Sequence, residues 1–243
     1  MSASFESLHV AVTGGTGALG TAVVERLLDA GATCHVPVFA PAELENFPFA
    51  DHPRVRTRSS VDLTDAGAVD TFYDSLPSLW ASVHCAGGFG MAPIADTSAA
   101  DFDHLMRMNA TTCFLCSRAA IVSIRQRGGT PSGGTPSGGR VVNVAARPSL
   151  EPRAGAGMVA YTMGKAAVAA LTVALGEEVA AEDIWINAVA PSILDSPANR
   201  TAMPDADHSA WPSLADVAQT LVFLASPDNR TTRSAVVPVY GRS

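Results

Sequence analysis

A glycine-rich turn, Thr13-Gly14-Gly15-Thr16-Gly17-Ala18-Leu19-Gly20, lies between an apolar run, Leu8 to Val12, and an apolar-periodic stretch, Ala18 to Leu28. That order predicts strand, tight turn, helix, with the glycines exactly where a chain must double back sharply. Backbone N–H groups at such a helix start can hold a pyrophosphate, and the missing side chains let the backbone come close to it. Gly14, Thr16, Gly17, Ala18, Leu19 and Gly20 are therefore candidate dinucleotide-binding residues.

The rest of the chain repeats the alternation. Strand patterns are expected near 8–13, 33–39, 54–59, 80–86, 140–145, 184–190 and 235–239, and helical ones near 18–30, 65–75, 98–126, 158–181 and 213–225. Strands and helices in this order imply right-handed βαβ units. The expected fold is α/β, a Rossmann-like doubly wound parallel sheet of about seven strands with helices on both faces. At 243 residues and 47% hydrophobic content, one core suffices, so residues 1–243 are expected to form a single domain. One segment breaks the pattern: 128–139 spells GGTPSGGTPSGG, a tandem TPSGG repeat expected to be a surface insertion of low complexity.

A fold of this type binds ligands at the carboxyl ends of its strands, where the glycine turn, Ala86-Gly87-Gly88 and Pro191 to Pro197 all fall. About 140 residues after the turn comes Tyr161-Thr162-Met163-Gly164-Lys165. Four residues apart on a helix, Tyr161 and Lys165 share a face, and the ammonium is expected to lower the phenol pKa toward a range useful for acid/base work. Glycine turn and tyrosine together suggest hydride transfer with a tyrosine proton donor.

Several other classes are disfavoured. The net charge of −7, with Lys and Arg scattered, offers no basic stripe for nucleic acid. Met1 to Glu6 lacks the basic head of a signal peptide, and the apolar stretch Ala166 to Leu175 is too short to span a bilayer. A cytoplasmic location and no membrane partner are expected. Cys34, Cys85, Cys113 and Cys116 form no convincing disulfide framework; Cys113 and Cys116 have CxxC spacing but lie in an apolar helix and are expected to be small buried hydrophobes. No histidine spacing suggests a metal site.

These residues resemble the short-chain dehydrogenase/reductase family over nearly the whole chain. Thr13 to Gly20 is similar to the family's TGxxxGxG turn, with Ala18 at its second diagnostic glycine, and Asp62 in Val61-Asp62-Leu63-Thr64 matches an aspartate that contacts adenine. His84-Cys85-Ala86-Gly87 stands where the family has NNAG, and Asn109 where it keeps a helix asparagine that orders a proton-relay water. Tyr161 and Lys165 fit YxxxK; Asn187 to Ser196 resembles the NxxxPGxxxT stretch around the nicotinamide. The resemblance implies Tyr161, Lys165 and Asn109 as catalytic residues. It implies Asp62, Leu63, Ala86, Gly87, Pro191, Ile193 and Ser196, with Tyr161 and Lys165, as further cofactor contacts. A small-molecule substrate and a homo-oligomer, dimer or tetramer, are also implied.

The largest departure lies at the end of the fifth strand, where Asn143-Val144-Ala145-Ala146 replaces a pattern like NVSS. The family's last serine hydrogen-bonds the substrate carbonyl; Ala146 has no hydroxyl, and Ser149 is displaced behind Pro148. A narrower resemblance, carried by Leu194 to Arg200, Met203 to Asp207, Trp211, Ala86 to Gly88 and Gly157-Met158, links the chain to dihydropteridine reductases. Those enzymes also carry alanine there and reduce a conjugated, electrophilic C=N. The expected activity is NAD(P)H-dependent reduction of a C=O or conjugated C=N group; a non-catalytic dinucleotide-binding regulator or a structural subunit of the same fold is the alternative. NAD(H) and NADP(H) both stay open, because Val38-Phe39-Ala40 offers neither the acid nor the arginine that usually decides. Arg54, Arg56 and Arg58 are expected to be solvated.

Overall fold

Leu79–His84 is buried at every position, as expected for a strand covered on both faces. It is the fourth strand of a sheet seen in a computed structural model that describes residues 5–126 and 138–243. In chain order the strands are β1 (His9–Thr13), β2 (Thr33–Pro37), β3 (Val55–Arg58), β4 (Leu79–His84), β5 (Gly139–Val144), β6 (Ile184–Pro191) and β7 (Val236–Val239). The helices are α1 (Ala18–Asp29), α2 (Ala66–Asp74), α3 (Ala99–Met106), α4 (Thr112–Gln126), α5 (Arg147–Leu150), α6 (Val159–Glu178), α7 (Pro197–Ala202) and α8 (Leu214–Ala225). The strands pair in parallel in the order β3-β2-β1-β4-β5-β6-β7. This is the expected doubly wound fold.

Two apolar layers hold it. On one face Val23, Val24 and Leu27 of α1 and Leu221 and Leu224 of α8 share a core with Val10, Val12, Val36 and Val83 of the strands. On the other, Val69 and Phe72 of α2 meet Leu115, Ala119 and Ile124 of α4 over Val141 and Ile186. Burial on both faces explains why central strands such as β1 and β6 are largely apolar rather than alternating.

Three expectations need correction. The helix foreseen over 98–126 is not continuous: a π-helical turn, Arg107–Thr111, separates α3 from α4, and such single wide turns often sit at functional sites. The apolar helix judged too short for a bilayer belongs to α6, whose 20 residues are long and apolar enough by length and composition alone. It instead lies against β6 and α3, burying Lys165, Val168, Thr172 and Gly176. Of the insertion expected at 128–139, positions 128–137 lie outside the described residues, and Gly139 already belongs to β5. A Cβ at Gly139 would press on the Ile124 side chain and the Trp80 carbonyl, so the sheet starts on a glycine there. Outward from the core, Phe114 and Val122 on α4 and Met163 and Val173 on α6 are exposed.

Candidate active site

The direction of chain progression reverses between β1 and β4, which are neighbours although β2 and β3 intervene in sequence. Turns leaving two such strands diverge and open a crevice. The glycine turn leaves β1, and Cys85 to Gly88 leave β4; Cys85 N–H donates to the Thr13 carbonyl at 3.0 Å. Gly14 has φ +63°, and a Cβ on it would lie 2.6 Å from Ala86 N, so only glycine fits between the two turns. Gly20 is equally confined, its Cβ position falling on the Gly14 carbonyl.

Gly17 differs. It is the N-cap of α1 with ordinary φ −76°, and no side chain caps the helix. Its own N–H donates to Gly14 O at 3.1 Å and its carbonyl accepts from Thr21 N at 2.8 Å. The N–H groups of Ala18, Leu19 and Gly20 begin a 12-residue helix with no acidic side chain in its first turn, which leaves donors and the positive end of the helix dipole for an anion. This cradle suits a pyrophosphate.

Across the crevice, α6 presents Tyr161 and Lys165 one turn apart, as their spacing predicts. Lys165 is 6% exposed; its Nζ donates to the Val144 carbonyl at 2.8 Å, at the end of β5, and lies 6.0 Å from the centre of the Tyr161 ring. Phe89 meets that ring edge-on, with centroids 5.0 Å apart. The expected depression of the tyrosine is not present: burial pushes Tyr161 up to about 12. Lys165 is pushed down to about 8, again by burial. The physical reason is that desolvation disfavours both charged forms, and the ammonium is held on the β5 carbonyl instead of the phenol oxygen.

Asn109, 1% exposed, sits inside the π-helical turn. Its Nδ2 donates to Gly88 O at 3.0 Å and to Leu105 O at 2.9 Å, while Gly88 N–H donates to its Oδ1 at 3.3 Å. The asparagine therefore pins the turn after β4. A Cβ on Gly87 would lie 2.9 Å from Asn109 Oδ1 and 3.2 Å from Lys165 Nζ, so that glycine keeps the two groups close to the crevice. A small cavity between Asn109 and Lys165 is also lined by Thr13, His84, Ala86 and Val144.

Beneath the site runs a buried polar chain that the sequence did not reveal. Thr172 donates to Val168 O at 2.8 Å, so its oxygen is free to accept from Asn143 Nδ2 at 3.0 Å. Asn143 Oδ1 then accepts from His84 Nδ1–H at 2.8 Å, and His84 Nε2 accepts from Ser82 at 2.9 Å, which Tyr73 meets at 2.8 Å. Burial holds His84 down to about 4, in keeping with a neutral ring. Every member is satisfied, so the chain is rigid rather than reactive.

Ala146 is 4% exposed at the mouth of β5. Ser149 donates to the Ala146 carbonyl at 2.6 Å, so the nearest hydroxyl is committed to a turn. Pro191 ends β6, and Ile193 is 41% exposed beyond it. Ser196 is the N-cap of α7, its oxygen accepting from Asn199 N–H at 3.2 Å. Asp62 Oδ1 accepts from Thr64 N–H and Oγ1, both at 2.8 Å, fixing the turn after β3 that carries Leu63. All the predicted site residues thus follow the carboxyl ends of strands or face them from α3 to α6.

Two further features carry little signal in the sequence. Glu43, on a short 3₁₀ segment (Pro41–Asn46) after β2, accepts from Thr16 Oγ1 at 2.6 Å and from Ala40 N–H at 2.8 Å. Pro41 followed by Glu43 was the available signal, a proline at the first position and an acid at the third position of a helical turn. Of the arginines expected to be solvated, Arg56 and Arg58 are exposed and Arg54 is half-buried, and all three also hydrogen-bond the protein. Arg54 binds Leu28 O and Ala32 O, Arg56 binds Pro53 O and Val55 O, and Arg58 binds Thr71 O and Ser75 Oγ.

Residues 8–207 match the family model described as short chain dehydrogenase. Galactitol 2-dehydrogenase of Rhizobium johnstonii is 30% identical, with 94% of this chain and 91% of that protein aligned. Cyclopentanol dehydrogenase of a Comamonas species is 29% identical over 96% and 95%. Among solved structures, ElxO with NADP bound superposes with a TM-score of 0.83 at 21% identity, covering 96% of this chain and 97% of that one. With a glycine turn and helix start on one wall of the crevice and a tyrosine and lysine on the other, the match along most of the chain makes this protein a member of the short-chain dehydrogenase/reductase family, with NAD(H) or NADP(H) as its cofactor.

Proposed function

We propose that the protein interconverts an alcohol and a carbonyl compound, or an amine-like centre and a conjugated C=N, on a small molecule bound beside Tyr161. The observation that carries this is the convergence of Tyr161, Lys165 and Asn109 on the crevice opposite the α1 cradle. When bound, the reduced dinucleotide supplies a hydride to the electrophilic carbon. Tyr161 gives the matching proton to the heteroatom; with its pKa pushed up to about 12, the phenol is protonated at neutral pH, the state a donor needs. Lys165, anchored on Val144 O one turn along α6 from Tyr161, would favour the phenolate left behind through its charge and would hold the cofactor ribose. Asn109 holds the Gly88 turn and borders the cavity next to Lys165, where a water would deliver a proton to the lysine and so toward Tyr161.

The relatives named above are dehydrogenases of galactitol and cyclopentanol, both alcohols, which supports alcohol/carbonyl chemistry. Ala146 supplies no donor to the acceptor oxygen, and it favours an acceptor that is already electrophilic; a conjugated C=N of the dihydropteridine kind stays within the proposed range for that reason alone.

Steady-state kinetics with cofactor titrations test the assignment. Tyr161→Phe is expected to lower kcat at least about a hundredfold with cofactor affinity nearly unchanged, whereas Lys165→Met lowers both. A fully active Tyr161→Phe enzyme sinks the mechanism and leaves the fold intact.

A further inference from the structure

We infer that Glu43 selects NAD(H) over NADP(H), supplying from a 3₁₀ turn the acid that the end of β2 lacks. The inference rests on the reading of the glycine turn as the pyrophosphate cradle. An acid in this part of such a fold accepts the adenosine ribose hydroxyls, while a 2′-phosphate requires a cation. In this chain the usual place is apolar: Val38 is fully buried and Phe39 is 67% exposed.

Glu43 reaches the same region by another route. Pro41 starts the turn, and Glu43 folds back onto Ala40 N–H with one oxygen and onto Thr16 Oγ1 with the other. Thr16 belongs to the glycine turn itself, two residues before α1. A half-buried carboxylate is therefore fixed at the outer wall of the cradle, with both oxygens oriented by donors. It retains acceptor capacity for a ribose hydroxyl, since a carboxylate oxygen has two lone pairs and only one donor is present on each.

The surrounding cations point the same way. Of the basic residues of β3 and its entry, Arg54 is held by Leu28 O and Ala32 O, while Arg56 and Arg58 are exposed, Arg56 bonded to Pro53 O and Val55 O and Arg58 to Thr71 O and Ser75 Oγ, and none is bonded to Glu43 or Thr16 in the hydrogen bonds described. Gly17 offers no side chain. A 2′-phosphate placed beside Thr16 would face the Glu43 carboxylate, and a dianion against an anion is repelled. The NADP held by the structural neighbour ElxO is a property of that protein, at 21% identity.

Calorimetric titration of the full chain with NAD⁺ and NADP⁺ tests the inference without any substrate. NAD⁺ is expected to bind at least about tenfold more tightly. Glu43→Gln keeps an oxygen for Thr16 and removes the charge, and should bring the two within about threefold, mainly by strengthening NADP⁺. Thr16→Val, which frees the carboxylate while leaving the backbone cradle, should weaken NAD⁺ by a few-fold. Equal affinities in the parent protein, or a preference unchanged in Glu43→Gln of native circular dichroism, overturn the role of Glu43 and leave the cradle standing. Binding of neither nucleotide at millimolar concentration overturns the cradle and the inference with it.

Discussion

Replacing Gly17 by aspartate should stabilise the free protein slightly and weaken its hold on the cofactor strongly. Gly17 is the N-cap of α1, with φ −76° and ψ 167°, which any residue adopts. A Cβ there would meet only Gly14 O, at 3.3 Å, a tight contact that a small shift relieves. Aspartate is among the best N-caps; relative to glycine it adds a few tenths of a kcal/mol, and its charge at the helix start adds about 0.3–1 kcal/mol. For a chain of this size the melting temperature should rise by roughly 1–3 °C.

The same carboxylate would stand over the donors assigned to the pyrophosphate. Two unit charges 4 Å apart repel by about 4 kcal/mol at an effective dielectric of 20. Because residue 17 is exposed, solvent and salt reduce this to about 1.5–2 kcal/mol, or roughly ten- to thirtyfold in Kd. Gly17→Ala separates charge from bulk and should change Kd less than about threefold. Differential scanning calorimetry and calorimetric titration of NADH read the two effects separately. An unchanged Kd in Gly17→Asp would refute the cradle at α1, and a melting temperature lowered by several degrees would refute the claim that this glycine is conformationally ordinary.

Restoring a hydroxyl with Ala146→Ser should raise kcat/KM on plain ketones by about tenfold or more, and by less on a strongly electrophilic acceptor; equal gains on both would count against the position assigned to residue 146. Acid should unfold the protein early. Burial holds His35 and His84 down to about 4 from the ordinary 6.5, so below pH 6.5 the unfolded chain takes protons that the folded one refuses. Stability is therefore intact above pH 6.5 and falls as pH drops toward 4, by about 3 kcal/mol per histidine across that window. Urea unfolding at several pH values should show this slope, and His84→Asn should remove about half of it; an identical slope in that variant would show that His84 is not a source.

Local pattern was enough for the strands, for the longer helices apart from the break at Arg107–Thr111, and for placing the glycine turn and the Tyr161–Lys165 pair. The expected bounds fall within two residues of each strand; for the strands buried on both faces, such as β4, the signal is a continuous apolar run, whereas the edge strand β3 is mixed. The spacing of Tyr161 and Lys165 put them on one helical face, and the glycines of the turn announced a close approach, which Gly14 makes against Ala86. What these signals share is range: each concerns residues within a turn or two of one another.

Contacts between distant segments were decided by the tertiary structure alone. Pairing of β1 with β4 brings the glycine turn against Ala86, although β2 and β3 lie between them in sequence. Only that sheet order lets Glu43 meet Thr16, binds Arg54 to the end of α1, and strings His84, Asn143 and Thr172 into one buried chain. The π-helical turn at Asn109 is invisible to a 3.6-residue period, since its extra residue matters only once a side chain must reach Gly88. Titration behaviour belongs here too: side-chain spacing predicts that Lys165 helps Tyr161 ionise, but burial, a property of the whole packed molecule, pushes the phenol the other way.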